Sequence, residues 1–171
     1  MQHSSNNTRF SLGITRQLEK AGWYEGRKYL LDRYLPDNLT PEDIFPAARQ
    51  ILEEFGGLWV NCADKKDHKT TNLDFDAEEL ALFTTEELTD IDQHFGHFST
   101  AWNKVPGVLA QIGGLTEFNT SVLVDEEGVV YIDGDTPQGC FCIKFSNGID
   151  DLIEGVLGGN YQAGQKLWNK S

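Results

Sequence analysis

The run Phe55-Gly56-Gly57-Leu58-Trp59-Val60 constrains this chain more than any other. An amphipathic helical pattern stops there, crosses two glycines and continues as an apolar strand. Glycine has no Cβ, so it enters the left-handed region that closes a helix C-terminus without steric cost. Upstream of this junction the hydrophobic spacing is helical, and downstream it is mainly that of strands. The junction is therefore expected to be the hinge of an α+β fold.

Upstream, Phe10, Leu12, Ile14, Leu18 and Ala21 suit a helix ended by Gly22, after which Trp23 and Tyr24 fold back onto the core. Residues 27–35 read equally as a short helix or an extended run, closed by Pro36. Thr40 as N-cap, Pro41 at the first helical position and Glu42-Asp43 in the first turn predict the start of a longer helix. Ile44, Ala47, Ala48, Ile51, Leu52 and Phe55 form its apolar stripe, which is expected to pack on the sheet.

Downstream, Leu58 to Cys62 reads as a strand, Ala63 to Thr71 as a solvated hairpin tip and Leu73-Asp74-Phe75 as the returning strand. A helix is expected to begin near Thr85 as N-cap, with Glu86 and Glu87 in its first turn, and a short strand between Gly107 and Gly113. Thr120 to Val124 and Val129 to Asp133 are β-branched runs joined by a turn with a late glycine, the clearest hairpin signal in the chain. Cys140 to Phe145 alternates strictly, placing Phe141, Ile143 and Phe145 on one face. Ser146 is read as the cap of a final helix carrying Ile149, Leu152, Ile153, Val156 and Leu157, stopped by Gly158-Gly159. Residues 1–7 are expected to be disordered, 8–159 to form one α+β domain with helices around a mainly antiparallel sheet, and 160–171 to be a tail that docks through Tyr161 and Leu167-Trp168.

Charge is the most informative bulk property. Of the net −13, the whole comes from residues 70–143, which hold fourteen acidic side chains and a single basic one, Lys104. A field of one sign repels phosphate backbones and anionic lipid and speeds encounter with a basic partner. Neither nucleic acid nor membrane is therefore expected as a partner. No apolar window is long enough for a membrane span, and the start lacks the basic and apolar regions of a secretory signal, so the expected location is the cytoplasm. Three cysteines, Cys62, Cys140 and Cys142, suit reduced, partly buried thiols better than a disulfide framework.

Candidate chemistry is sparse. His94 and His97 with Asp90 could present two imidazoles and a carboxylate, but a third strong metal ligand is missing and exposed histidines are the better reading. Cys140 and Cys142 share a strand face with Lys144 and read as packing cysteines. Asp133-Gly134-Asp135 reads as a strand-connecting turn. Neither a nucleophile motif nor a phosphate loop is present, so no enzyme, metal or cofactor is expected. The residues that remain are Asp74, Asp76, Glu78, Glu79, Glu86, Glu87, Asp90 and Asp92, carboxylates between Lys69 and Lys104 with no positive charge among them. They repel one another unless a partner neutralises them.

Ala21-Gly22-Trp23 followed by Gly26-Arg27, then the helix ending in Phe55-Gly56-Gly57-Leu58, resembles the N-terminal signature of the third group of the SUKH superfamily of bacterial immunity proteins. Ile112-Gly113, the hairpin from Leu123 to Tyr131 and the helix from Ile149 to Leu157 sit where that pattern continues. The resemblance implies a sheet flanked by helices and a protein that binds and neutralises a cognate polymorphic toxin, often a nuclease; the acidic charge of this chain makes a basic one the expectation. It implies structural roles for Trp23, Arg27, Phe55, Gly56 and Gly57: a ring against the helix layer and a guanidinium holding a backbone carbonyl or carboxylate. The insertion from Asp64 to Lys69 and the acidic stretch between Leu73 and Trp102 depart from the pattern, and partner choice is expected there. The alternative is an intracellular regulatory scaffold, like the eukaryotic relatives of the superfamily.

Overall fold

The computed structural model describes residues 9–63, 70–94, 102, 105, 107–116, 120–136, 139–160 and 164–170. Within them the helices are α1 (Leu12–Lys20), α2 (Pro46–Phe55), α3 (Thr85–His94) and α4 (Ile149–Leu157). The strands are β1 (Trp59–Ala63), β2 (Thr70–Asp74), β3 (Ala81–Thr84), β4 (Val108–Leu115), β5 (Thr120–Asp125), β6 (Val130–Thr136), β7 (Gly139–Phe145) and β8 (Gln165–Lys170). They form one 8-stranded sheet in the order β1-β2-β4-β5-β6-β7-β8, with β3 beside β2 on the same edge of β4. Every pairing is antiparallel. The α+β architecture expected from the spacing is what forms.

Helices α1, α2 and α4 lie on one face of this sheet. Ile14 and Leu18, then Ala48, Ile51, Leu52 and Phe55, then Leu152, Ile153 and Val156 meet Val60, Leu73, Ile112, Val122, Val124 and Ile132 in a continuous core. A smaller core occupies part of the other face, where Leu88 of α3 and the ring of Trp102 cover Leu109, Leu123, Tyr131 and Cys142. This two-sided burial explains why Val122-Leu123-Val124 is an unbroken apolar run and not an alternating one. It also completes the reading of β7, in which Phe145 enters the large core and Cys142, on the opposite face, enters the small one.

Several local expectations need correction. The helix predicted from Thr40 breaks into a 3-10 turn, Pro41–Asp43, and α2, which starts afresh at Pro46. Proline has no N–H and forces the residue before it out of the helical region, and Phe45 accordingly sits at ψ 155°. Thr40 still caps its turn, its N–H and hydroxyl donating to Asp43 at 2.7 and 2.8 Å. Thr84, not Thr85, caps α3: its hydroxyl accepts the Glu87 N–H at 3.2 Å while its own N–H donates to Glu87 at 2.8 Å. Gly148, not Ser146, precedes α4, at φ 84°. Asp133-Gly134-Asp135 lies inside β6, because pairing with β7 runs on to Thr136 and Gly139. Strand β3 is an addition to the predicted set, and the docking tail contributes β8 against β7. Of the expected hairpin tip from Ala63 to Thr71, Ala63, Thr70 and Thr71 are instead paired in β1 and β2, and residues 64–69 fall outside the described residues.

Asp125 carries the tightest polar knot of the second face. Only 4% exposed, it accepts the backbone N–H groups of Glu127 and Val129 at 3.0 and 2.9 Å and the Tyr131 hydroxyl at 3.0 Å. Burial, with that hydrogen bond next, raises the Tyr131 hydroxyl pKa well above its ordinary value, so it stays a donor. Asp125→Ala orphans these donors at once and is expected to cost about 2–4 kcal/mol in urea unfolding.

Gly57 is the residue of the junction that turns left-handed, at φ 71°, and a Cβ there would also come within 2.8 Å of the Tyr29 ring. Gly57→Ala is expected to lose about 1–3 kcal/mol by the same assay, more than an exposed glycine at positive φ such as Gly22 would lose.

Candidate functional site

The Gly22-Trp23 and Gly26-Arg27 motif residues converge on the end of α2. Trp23 is buried, stacks on Phe55 with rings 6.5 Å apart and donates its indole N–H to Glu54 at 3.2 Å. Arg27 spans the last turn, its Nη1 donating to the carbonyl of Glu54 at 2.7 Å and its Nη2 to that of Gly56 at 2.8 Å. A cleft of about 830 Å³ beside them is lined by Arg9, Trp23, Tyr24, Arg27 and Glu54 among others. Arg9 in its wall pairs with Glu54 of the same lining and with Asp150. This side of the molecule reads as scaffold.

The carboxylates divide into two groups. Strand alternation puts Trp59, Asp74, Gly114 and Ser121 in one cross-strand row on the sheet face away from α1, α2 and α4. Among the described residues the second core reaches β4 only at Leu109, near its Val108 end, so the Trp59 and Asp74 end of the row lies outside it. A bulge between Gln111 and Gly113 restores the alternation, and a Cβ at Gly113 would run into the Asp74 carbonyl. Asp74, Glu79, Gln111, Gly114, Thr116 and Ser121 line a shallow cleft of about 250 Å³ here. Asp76 closes a turn by accepting the Glu78 N–H at 2.8 Å.

Glu86, Glu87 and Asp90 instead sit on α3, exposed to solvent. The separation of the two groups is roughly 20 Å, taken as the length of β4 between Gly114 and Val108 at about 3.3 Å per residue. Asp92 falls in the last turn of α3, and His94 ends it, while His97 lies outside the described residues. Glu87 is committed to capping, and the hydrogen bonds from Thr84 hold its carboxyl below the usual range. Among the described residues every ion pair involves Arg9 or Arg49, and none reaches these acidic groups. Nor do those residues bring three His, Cys, Asp or Glu side chains together as a metal site.

Among the described carboxylates, Asp74 stands in unfavourable surroundings. Its Oδ1 accepts the Gly114 N–H at 2.6 Å, yet burial, opposed by that bond and reinforced by Asp76 and Glu79, raises its pKa above the ordinary value. The sequence does not show that Trp59 is 60% exposed beside it. A signal was available in the alternation: Leu58, Val60 and Cys62 face the core, so Trp59 and Asn61 must face the other way.

The molecule is thus a single α+β domain with a helix layer on one sheet face and a half-covered acidic face on the other. The chain belongs to the SUKH-3 immunity protein family, whose model matches residues 10–155. That membership supports a toxin-immunity role and implies binding of a cognate toxin, and members of such families are typically not enzymes. No curated protein and no solved structure matches the chain. Among the described residues, no helix is long and apolar enough to cross a membrane.

Because Asp74 takes up a proton more readily in the folded chain, it opposes folding above its native pKa, and that opposition fades as pH falls toward the unfolded value of 3.8. Asp74→Asn keeps the acceptor for Gly114 and removes the charge. The variant is expected to melt above the parent at pH 7, with the gap closing on acidification, in paired thermal scans.

Proposed function

We propose that this protein neutralises a toxin with a basic surface by covering that surface with the uncovered half of its sheet face. The observation that carries the reading is Asp74, a half-buried carboxylate without an ion-pair partner among the described residues, next to the exposed ring of Trp59. An unpaired, partly desolvated charge that costs the free protein stability is well suited to meet a cation from outside. A large exposed aromatic beside it supplies the kind of anchor that dominates interface affinity. Asp76, Glu78 and Glu79 extend the charge around this anchor. Glu86 and Asp90 on α3 add a second acidic region that raises the encounter rate. A nuclease is the natural target, since a groove that holds phosphates must be positive. The target is expected in the cytoplasm, where such an enzyme would reach nucleic acid.

The test uses the full chain and a basic toxin domain, sought first among the neighbouring reading frames. Trp59→Ala and Asp74→Asn are each expected to raise Kd about tenfold or more, mainly through faster dissociation. The pair Glu86→Lys and Asp90→Lys is expected to slow association and flatten its salt dependence, leaving dissociation nearly unchanged. Glu87 is left intact because its loss would also uncap α3. Unaltered binding by the Trp59 and Asp74 variants would refute this surface, and a toxin that binds no better than an unrelated protein would refute the toxin.

A further inference from the structure

The path of the sheet from β1 to β8 ends in two edge strands, and they are built differently. At one end β8 carries Lys166 and Lys170 and pairs with β7 through a register shift at Cys142 and Ile143. Lysines and irregular pairing protect an edge against further strands. At the other end β1 reads Trp59-Val60-Asn61-Cys62-Ala63, with neither a charge nor a proline. Such a composition suits a strand in the middle of a sheet, yet among the described residues β1 pairs only with β2.

The hydrogen bonds of the glycine junction fix which backbone groups β1 leaves over. Phe75 donates to the Leu58 carbonyl at 3.1 Å, and along an antiparallel ladder the hydrogen-bonded pairs alternate with non-bonded ones. Continuing through the register, Val60 with Leu73 and Cys62 with Thr71 are the bonded pairs. The N–H and C=O groups of Trp59 and Asn61 therefore point away from β2, and among the described residues no backbone group meets them. Both residues are exposed. Two donors and two acceptors stand in one line at strand spacing, which is the template for one more strand.

Charge decides which strand fits. Asp74 is the cross-strand neighbour of Trp59, and Asp76 follows in the turn after β2. A second copy paired through β1 would bring these carboxylates toward their equivalents, in chains that each carry a net charge of −13. An extended segment with basic side chains meets the opposite field. Asp74 lies two strand spacings, roughly 10 Å, from an added strand, so a lysine or arginine there reaches the carboxylate across the Trp59 ring.

Resting on the toxin-binding reading above, we propose that β1 takes up an extended, basic segment of the partner as an additional strand, hydrogen-bonded to the outward backbone groups of Trp59 and Asn61. The main-chain bonds supply affinity, and Trp59 and Asp74 set which side chains that face accepts.

The test follows amide hydrogen exchange by NMR in the ¹⁵N-labelled full chain, alone and with an unlabelled basic toxin domain. The Trp59 and Asn61 amides are expected to exchange about tenfold or more slowly in the complex, while the Val60 amide, already in the ladder with Leu73, changes less. Asn61→Pro removes one outward N–H and no bond to β2. It is expected to weaken binding about tenfold beyond Asn61→Ala, which loses the same side chain and keeps that N–H. Equal binding by these two variants, or unchanged exchange at both amides in a complex that forms, would overturn the added strand and leave the toxin reading standing. The exchange result decides even where Asn61→Pro does not fold. Absence of binding by the parent chain would overturn the toxin reading and the added strand with it. Slowing that appears without toxin as the chain's own concentration rises would assign the edge to a second copy and overturn the basic segment.

Discussion

The last turn of a helix leaves carbonyls with no helical partner, and in this protein the whole junction depends on how those of α2 are satisfied. The Leu52 carbonyl accepts from Gly56 at 2.8 Å and that of Phe55 from Leu58 at 3.0 Å. The remaining acceptors are met by a segment from elsewhere in the chain: Glu53 by the Tyr29 N–H at 2.6 Å, Glu54 and Gly56 by the two arms of Arg27. Water cannot do this at a buried helix end, so an extended strap carrying a forked donor does it. With the end of α2 fixed, Phe55 is held edge-on to Phe10, flat against Trp23 and close to Phe75. The same closure sets β1 beside β2 and seats Tyr29 on the glycines.

From that anchor the sheet acquires unequal faces. One is fully used by α1, α2 and α4, which consume the residues with the strongest apolar periodicity. The other is covered by α3 and Trp102 at one end and, among the described residues, left open at the end where Asp74 and Trp59 lie. A domain of this size needs only one large core to be stable, so the bare half is free to carry residues that stability would not select. The Asp74 carboxylate, with its raised pKa, is such a residue. A residue that costs the free protein stability is what a fold tolerates at a site serving something other than stability.

Much of the architecture is legible in the sequence because it follows from short-range patterns. The hairpin of β5 and β6, the α3 start within one residue and the stop of α4 at Gly158-Gly159 come from β-branched runs, a Thr-x-x-Glu box and glycines. Where two local signals competed, the reading went astray. Thr40-Pro41 is a genuine cap, but Pro46 a few residues on breaks the chain again and starts the real helix. Ala81 to Thr84 is too short and too mixed to announce a strand, and pairing with β4 alone makes it one. The acidic residues are legible as a group in the sequence and are two groups in space, because β3 carries the chain along β4 from Gln111 to Val108 between them.

The sequence by itself determined the fold class, the helix stop at Phe55-Gly56-Gly57, the family signature and the segregation of negative charge, since all of these rest on composition, spacing and the special backbone freedom of glycine. Only the tertiary structure decided which carboxylates stand without a cation beside them among the described residues, that Trp59 is exposed on the sheet face away from the helix layer, and that Tyr34 is stacked at the surface on Tyr29. Strand register and the placement of α3 are outcomes of long-range packing. No local pattern specifies which half of a sheet face a single helix will leave open.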